Sequence, residues 1–497
     1  MNKCRILLIE PSESWVTNNP RLKHVEQVML PLGLMYLSAY LKSKLKNRVE
    51  IKIISTIVDL SHPGDIKDII HTFRPHIIGI RSVLFYMKVV NQIIRVSRTT
   101  SPDSLIIIGG PNVSPNNPGL MENQGIDIFV AGEGEEPLYR IVKYYLNRGK
   151  QGLTQHLSRI NGVIYRENGK LTAAAGWKPL MDLDQLPIPD YSAVRLEEYR
   201  RFLNYGYNRR PMGVLFTSRG CPYKCIYCHN TFGKSFRARS AGAIYQEIKT
   251  LHQSYHIKDF CIIDDNFSMD RKRLEEFTRI LVNNGPKVKL YFPNGIRADS
   301  LTLPLLDQLI KAGTIWLTFN IETAVPRLQK LIKKHVNINR LKEIVTYSCR
   351  RNIITNLSTM VGFPTETIEE AKYSLQFAAQ FDKILLPYYF SVKYYPGTQL
   401  AAMAKNYGIE LDEQAQMNPY HGSQFQETPL ITKKDFQQLN YWYLRNIFLN
   451  PQRIKNSITI LKQHFSTAEI NDMFTLFFRR PIKDLQTDLF NPLEIRT

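Results

Sequence analysis

No apolar run in the 497 residues approaches the roughly 18 that a membrane-spanning helix needs. The opening MNKCRILLIEPSESW has a short strand-like run where a secretion signal would have its apolar core, so the chain is expected to be cytoplasmic. Cysteine is scarce, at six residues, which excludes a disulfide scaffold. Low-complexity tracts and repeats at solenoid periods are absent. There is no basic block of the kind that forms a nucleic-acid-binding tail. The net charge of +21 is instead spread in small clusters such as Arg200–Arg201, Arg209–Arg210, Lys333–Lys334 and Arg479–Arg480. Such a field favours anionic partners without choosing among nucleic acid, acidic lipid and a phosphorylated or carboxylated substrate. With 43% hydrophobic and 22% charged residues the chain is neither disordered nor fibrous, and its length implies about two to four domains.

What is present is an alternation. Over the first 145 residues, short β-rich runs (RILLIE, VEIKIIST, IIGIRS, LIIIGG, IDIFVAG) alternate with helical patterns, the first from about Pro31 to Leu45 with Leu34, Leu37, Leu41 and Leu45 at helical spacing. Near-continuous apolar strands are buried on both faces, which predicts a doubly wound parallel sheet of about five strands over residues 1–150. Such sheets bind ligands at the carboxyl ends of their strands, where Ser82, the pair Gly109–Gly110, and Gly132-Glu133-Gly134-Glu135 stand. Residues 151–205 read as a linker containing a hairpin with Glu167, Asn168 and Gly169 in its turn. From 206 to 430 six strand-helix units fit, which predicts a parallel barrel or partial barrel with its chemistry at the strand C-ends. Residues 431–497 read as a helical C-terminal region.

Three of the six cysteines stand together. Cys221, Cys225 and Cys228 lie in SRGCPYKCIYCHN directly after a strand, while Cys4, Cys261 and Cys349 stand alone as packing residues. The spacing C-x3-C-x2-C lets one loop turn three sulfurs inward onto one corner of a [4Fe–4S] cluster, leaving one iron open to chelate a small molecule. A structural zinc site wants a fourth ligand, and His229, adjoining Cys228, has poor tetrahedral reach.

This loop, with Tyr227 before its last cysteine, resembles the signature of the radical S-adenosylmethionine (SAM) enzymes. The resemblance implies that the open iron binds SAM and that reductive cleavage gives a 5′-deoxyadenosyl radical, with the protein supplying orientation and a dry pocket. It extends over about 210–400. CIIDDNF stands at the place of the family's second-strand motif, implying that Asp264, Asp265 and Asn266 meet the methionine moiety. NGIRAD, with Asn294, resembles the third-strand segment. IWLTFNIET resembles the fourth, which implies Glu322 near the nucleoside, and Asn320 stands where the family more often has glycine. VGFPTET and YYPGTQL resemble the later glycine-proline turns.

The N-terminal runs, with PLGLMYLSAYL, IIIGGPNVSP and VAGEGEEPL, resemble the cobalamin-binding domain that precedes the barrel in one branch of this superfamily. That implies an α/β architecture: a doubly wound, Rossmann-like cobalamin-binding domain, a partial (β/α)6 TIM-type radical SAM barrel, and a helical C-terminal region. It also implies that Ser82, Gly109, Gly110 and Glu133 line the crevice for cobalamin's nucleotide tail. No histidine falls in a D-x-H-x-x-G spacing, and Asn112 stands where relatives often have histidine.

The resemblance implies an enzyme of the cobalamin-dependent, class B methyltransferase kind acting on an unactivated carbon. The same architecture serves a non-methylating reaction resembling the anaerobic magnesium-protoporphyrin ester cyclase. Thiomethylation of transfer RNA needs a second cysteine triad in the N-terminal region, where only Cys4 stands, so nucleic acid is not the expected partner. A non-catalytic cobalamin or redox sensor is the alternative outside catalysis. The expected partners are a small-molecule substrate, anionic or lipid-like, and a reductant such as flavodoxin or ferredoxin. Arg209, Arg210, Arg237 and Arg239 either meet an anionic substrate or are surface charge. The C-terminal aromatic stripe, with Trp442, Phe448, Met473, Phe474, Phe477 and Phe478, either caps a lipid-like or macrocyclic substrate or is ordinary core.

Overall fold

The computed structural model describes residues 3–12, 28–62, 64–83, 86–113, 118–167, 169–228, 231–385, 387–411 and 425–475. His229, Phe477, Phe478 and Arg479–Arg480 lie outside the described residues. The chain forms two compact units, Met1–Leu203 with Thr231–Gly233, and Asn204–Asn230 with Lys234–Thr497.

In the first unit, β1 (Cys4–Glu10), β2 (Val49–Ser55), β3 (Ile77–Arg81), β4 (Leu105–Gly109) and β5 (Ile128–Val130) form a parallel sheet in the order β2-β1-β3-β4-β5. One face carries Leu7, Ile9, Ile78, Ile80, Ile106 and Ile108. It is covered by Ile66 and Ile70 of α2 (Asp65–Phe73) and by Val90 and Ile93 of α3 (Met87–Thr100). The expected first helix is present as α1 (Leu32–Leu45). It packs against α4 (Glu135–Arg148), with Tyr40 edge-on to Tyr139 at 6.2 Å and its hydroxyl donating to Glu136 at 2.9 Å.

The hairpin expected in the linker extends this sheet instead. β6 (Val163–Glu167) pairs antiparallel with β5, and β7 (Lys170–Ala173) with β6. Val163, Ile164 and Tyr165 are buried and match Val130, Phe129 and Ile128 across the ladder, so apolar pairing draws the segment onto the edge. Asn168 of its turn lies outside the described residues.

In the second unit, the six expected strands form one parallel sheet. They are β8 (Met212–Leu215), β11 (Asp259–Ile262), β12 (Lys289–Ile296), β13 (Thr314–Glu322), β14 (Ile354–Val361) and β15 (Tyr389–Ser391), in that spatial order. Between β8 and β11, β9 (Ser218–Arg219) and β10 (Arg237–Ala238) form a small antiparallel ribbon. The intervening helices are α5 (Ala241–Tyr255), α6 (Arg271–Asn284), α7 (Leu303–Lys311), α8 (Pro326–Leu331), α9 (Ile338–Arg350) and α10 (Ile368–Ala379). Their starts follow local chemistry: Ser240, Asp270, Thr302, Asn337 and Thr367 each accept a backbone N–H two or three residues inside the helix, and Thr367 with Glu370 closes a capping box.

The C-terminal segment is helical, with α11 (Lys433–Tyr443) and α12 (Pro451–Leu461). Among the described residues its apolar stripe packs as core, with Met473 buried, Phe474 against the same cluster, and Trp442 and Phe448 against a second one. Ile460, Leu461, Phe465, Ile470 and Met473 pack with Met212, Cys261, Tyr291 and Trp316. Among the described residues no helix is long and apolar enough to cross a membrane.

Candidate active site

All six cysteines are free. Three sit on a loop whose base the ribbon closes: Ser218 and Arg219 pair with Ala238 and Arg237, and Gly220, at φ +82°, opens the excursion that carries Cys221, Cys225 and Cys228. A residue with a Cβ is strained at that φ, so glycine there is a conformational requirement.

Three grips hold the loop. At its base, Asp264 at the end of β11 accepts the Thr217 N–H at 2.6 Å, the Thr217 hydroxyl at 2.5 Å and the Ser218 hydroxyl at 2.6 Å. Arg273 of α6 reaches the same point, donating to the Thr217 carbonyl at 3.1 Å and its hydroxyl at 3.0 Å. Burial raises the pKa of Asp264, and Arg273 and the hydroxyls draw it back. In the middle, the Arg297 guanidinium lies 4.1 Å from the centre of the Tyr223 ring, held there by its bidentate pair with Asp299. At the far end Ile226 is buried, donates to the Ile332 carbonyl at 3.1 Å and accepts from Leu400 at 2.9 Å. Tyr227, 6.0 Å from Phe363, donates to Glu322 at 3.1 Å.

The thiols lie within electrostatic reach of one another and of Asp265. Burial first, then Asp265 and Cys225, push Cys228 up to about 11, and the same groups raise Cys221. Among the described residues no three Cys, His, Asp or Glu side chains close to metal-ligand spacing. The donor set of three thiols on one tethered loop still suits a cluster with one open iron, and is one ligand short of a structural zinc site.

The other expected residues divide. Asp265 is exposed beside the cysteines. Asp264 is fully committed to the loop base, and Asn266 is buried, accepting from Ser268 at 3.2 Å, so both turn inward from the position expected of SAM ligands. Their carboxylate-and-amide signal at a strand end reads alike for a ligand contact and for a buried brace. Glu322 adopts φ +64°, and its Oε1 takes both the Tyr227 phenol and the Nζ of Lys334. Asn294 donates to the Ile263 carbonyl at 2.7 Å, Asn320 donates to the Asn294 carbonyl at 2.9 Å, and Ser358 donates to Asn320 at 2.7 Å. Asn320 thus ties β12 to β14 across the strand ends. Its amide lies where a Cβ on Gly295 would stand, 2.3 Å away.

The flanking arginines meet protein carboxylates. Arg209 pairs with Asp472 at 3.3 Å, Arg210 with Glu469 at 2.6 Å, and Arg239 with Glu247, while Arg237 is buried. Sequence reasoning missed the roles of Thr217, Arg273, Arg297 and Lys334: Arg297 lies within the quoted NGIRAD segment and Lys334 within the Lys333–Lys334 pair, but neither pattern marks its partner, and Thr217 and Arg273 carry no signal.

In the first unit, Ser82, Gly109 and Gly110 converge at the ends of β3 and β4. The Ser82 N–H donates to Gly109 at 2.7 Å, and Gly110, at φ +110°, sits where a Cβ would come within 2.8 Å of the Ser82 carbonyl. This small-residue cradle suits a narrow group laid across the strand ends. Ser82 itself is buried beside Met87 and Asn112. Glu133 differs from expectation: it accepts the Leu180 N–H at 3.1 Å, tying down the segment whose Trp177 ring lies on Gly132.

The Radical SAM superfamily profile matches residues 215–378, and the B12 binding domain profile matches residues 19–142. An uncharacterised methyltransferase of Pyrococcus horikoshii is 28% identical over 80% of this chain and 82% of its own length. The cytidylyl-2-hydroxyethylphosphonate methyltransferase of Streptomyces wedmorensis is 25% identical over 76% and 77%. The anaerobic magnesium-protoporphyrin IX monomethyl ester cyclase of Rubrivivax gelatinosus is 24% identical over 70% and 61%. Among solved structures, the radical SAM methyltransferase TsrM of Kitasatospora setae superposes with a TM-score of 0.65 at 17% identity, over 82% of this chain and 78% of that one. Cysteine loop, six-stranded parallel sheet and N-terminal five-stranded core agree with these matches, and the chain belongs to the radical SAM superfamily, in the branch that carries an N-terminal B12-binding domain.

Proposed function

We propose that this chain is a cobalamin-dependent radical SAM enzyme that methylates an unactivated carbon of a small molecule. The observation that carries the reading is the tethered loop with three free thiols at the carboxyl ends of parallel barrel strands. Cys221, Cys225 and Cys228 would hold a [4Fe–4S] cluster, and the Ser82–Gly109–Gly110 cradle would take cobalamin. When bound, the cluster and SAM supply the radical and cobalamin the methyl-transfer chemistry, with the electron coming from a flavodoxin or ferredoxin. The protein's own part is positional. Asp264, Arg297 and Ile226 fix the loop, Tyr227 and Glu322 set its far end, and Asp265 offers an exposed carboxylate for the SAM amino group. The relatives named as methyltransferases favour methyl transfer, and the cyclase relative keeps ring formation as the second reading.

The test is anaerobic reconstitution with iron, sulfide and hydroxocobalamin, followed by metal counts. About four irons per chain, lost on replacing the three cysteines by alanine, and near-stoichiometric cobalt lost on Gly110→Val, are the expected results. Iron retained by the triple variant would overturn the reading. Methyl-labelled SAM then separates the two chemistries, because only methyl transfer carries label into product.

A further inference from the structure

The inward face of the second unit's sheet is layered. Strand residues two apart share a face, and the register aligns Cys261 with Tyr291, Tyr291 with Trp316, and Trp316 with Ile354 as a floor that the C-terminal residues back from below. One step towards the carboxyl ends, Thr318 aligns with Asn356, and above them Ser358 bonds Asn320. Against this wall stand three aromatic rings: Tyr207 stacked on Trp316 at 5.6 Å, and Tyr388 edge-on to Phe390 at 5.1 Å. Tyr388 faces Thr318, Tyr207 and Glu322. Tyr207, Tyr388 and Phe390 keep partial exposure although they face inward, whereas Trp316 and Asn356 are each 3% exposed.

Three polar atoms in this layer have no hydrogen-bond partner, the indole Nε1 of Trp316, Oγ1 of Thr318 and Oδ1 of Asn356. The Trp316 Nε1 is a donor and the Asn356 Oδ1 an acceptor, on adjacent strands and one register step apart, and the Thr318 hydroxyl beside them can serve as either. A buried donor or acceptor left unsatisfied costs about 1–3 kcal/mol, so a ligand that satisfies both the indole and the amide oxygen is favoured by that margin. The lining side chains Tyr207, Trp316, Thr318, Asn356, Tyr388 and Phe390 are uncharged, Glu322 is neutralised by Lys334 at 2.6 Å, and the Asp259 carboxylate behind Tyr291 is bonded by that phenol and paired with Arg210. Aromatic walls favour a flat ring, and a desolvated uncharged lining penalises an ion.

We infer that the group presented to the radical in this barrel is an uncharged planar ring bearing one hydrogen-bond acceptor and one donor, held by Trp316 and Asn356 between the aromatic pairs. This rests on the proposed function and narrows its substrate from anionic or lipid-like to a neutral ring compound. A site built to bond a polar group rejects an analogue that lacks it more strongly than an apolar pocket rejects a change of size.

The test uses the reconstituted full chain with SAM present and equilibrium dialysis of four probes: 2-quinolone, N-methyl-2-quinolone, quinoline-2-carboxylate and N-methylquinolinium. The expected result is saturable 2-quinolone binding at about one per chain, with each of the other three at least about tenfold weaker. Asn356→Leu should erase the preference over N-methyl-2-quinolone, and Trp316→Phe should weaken 2-quinolone about tenfold while both variants keep their iron. Equal binding of all four probes, tighter binding of either ion, or binding of 2-quinolone that neither substitution changes would overturn the inference. If the variants fail to fold, the comparison of probes on the unaltered chain decides. SAM binding is read in the same samples. Its loss counts against the proposed function, whereas intact SAM binding with no discrimination among probes counts against this inference alone.

Discussion

The Nζ of Lys334 lies 2.6 Å from Oε1 of Glu322, the oxygen that also takes the Tyr227 phenol at 3.1 Å. A cation twelve positions beyond Glu322, the last residue of the fourth barrel strand, is thereby coupled to the residue that precedes Cys228. The backbone bends sharply to allow it, with positive φ at Glu322, Lys333 and His335. Such conformations cost about 1–3 kcal/mol each and persist where surrounding contacts over-determine them.

Removing one partner of this buried pair should cost more than removing both. Lys334→Met is expected to destabilise the chain by about 3 kcal/mol or more, because the Glu322 carboxylate is left buried without its cation. Adding Glu322→Gln should restore most of that loss. Urea unfolding of the single and double variants measures the difference, and equal loss in both would show that the pair contributes no coupling.

Asp264 and Asp265 should separate cleanly despite being neighbours. Asp264→Asn is expected to cost about 1–3 kcal/mol, since an amide cannot accept from all three of its donors, and to lower iron loading by loosening the loop base. Asp265→Asn should leave stability within about 0.5 kcal/mol. In the iron-free protein it should speed alkylation of the cysteines near neutral pH, because Asp265 raises the thiols of Cys221 and Cys228. Slower alkylation would contradict the electrostatic account.

Gly295 should tolerate no side chain. It sits at φ +96° with the Asn320 amide in the space a Cβ would take, so Gly295→Ala is expected to cost at least about 2 kcal/mol. Combining it with Asn320→Gly should recover the steric part and leave the conformational part. Thermal unfolding of the four combinations reads both contributions.

Glu366 gives a pH signature. It is buried, accepts the Gly362 and Phe363 N–H groups at 2.7 and 3.1 Å, and burial pushes its carboxyl from 4.5 up to about 8. The folded chain then holds a proton that the unfolded chain releases, so stability falls as pH rises from about 4.5 to about 8, by at most about 5 kcal/mol. Glu366→Gln should flatten that limb. Denaturation midpoints at pH 5, 6, 7 and 8 compare the two chains, and parallel curves would show that Glu366 does not titrate in this range.

The elements were legible in the sequence where burial on both faces left continuous apolar runs, as in RILLIE and IWLTFNIE, and the cysteine loop was legible because its spacing follows from what a cluster needs. Roles at strand ends were not. Asp264 and Asp265 are adjacent and identical in type, yet one is buried in the loop base and the other faces the thiols. Arg210 read as a free cation because its partner Glu469 is 259 positions away. The aromatic C-terminal stripe had helical spacing, but only the packing of Phe465 and Met473 against Trp316 shows that it is core.

The hairpin of β6 and β7 bears on where this chain tolerates being cut. A fragment ending at Arg148 would strip β6 from β5 and bare the amide edge of a strand made of Ile128, Phe129 and Val130. Open apolar edges recruit strands from neighbouring molecules, so that fragment should precipitate. A fragment ending at Leu203 retains β7 as its outer strand, whose side chains are mostly solvent-facing and begin with Lys170.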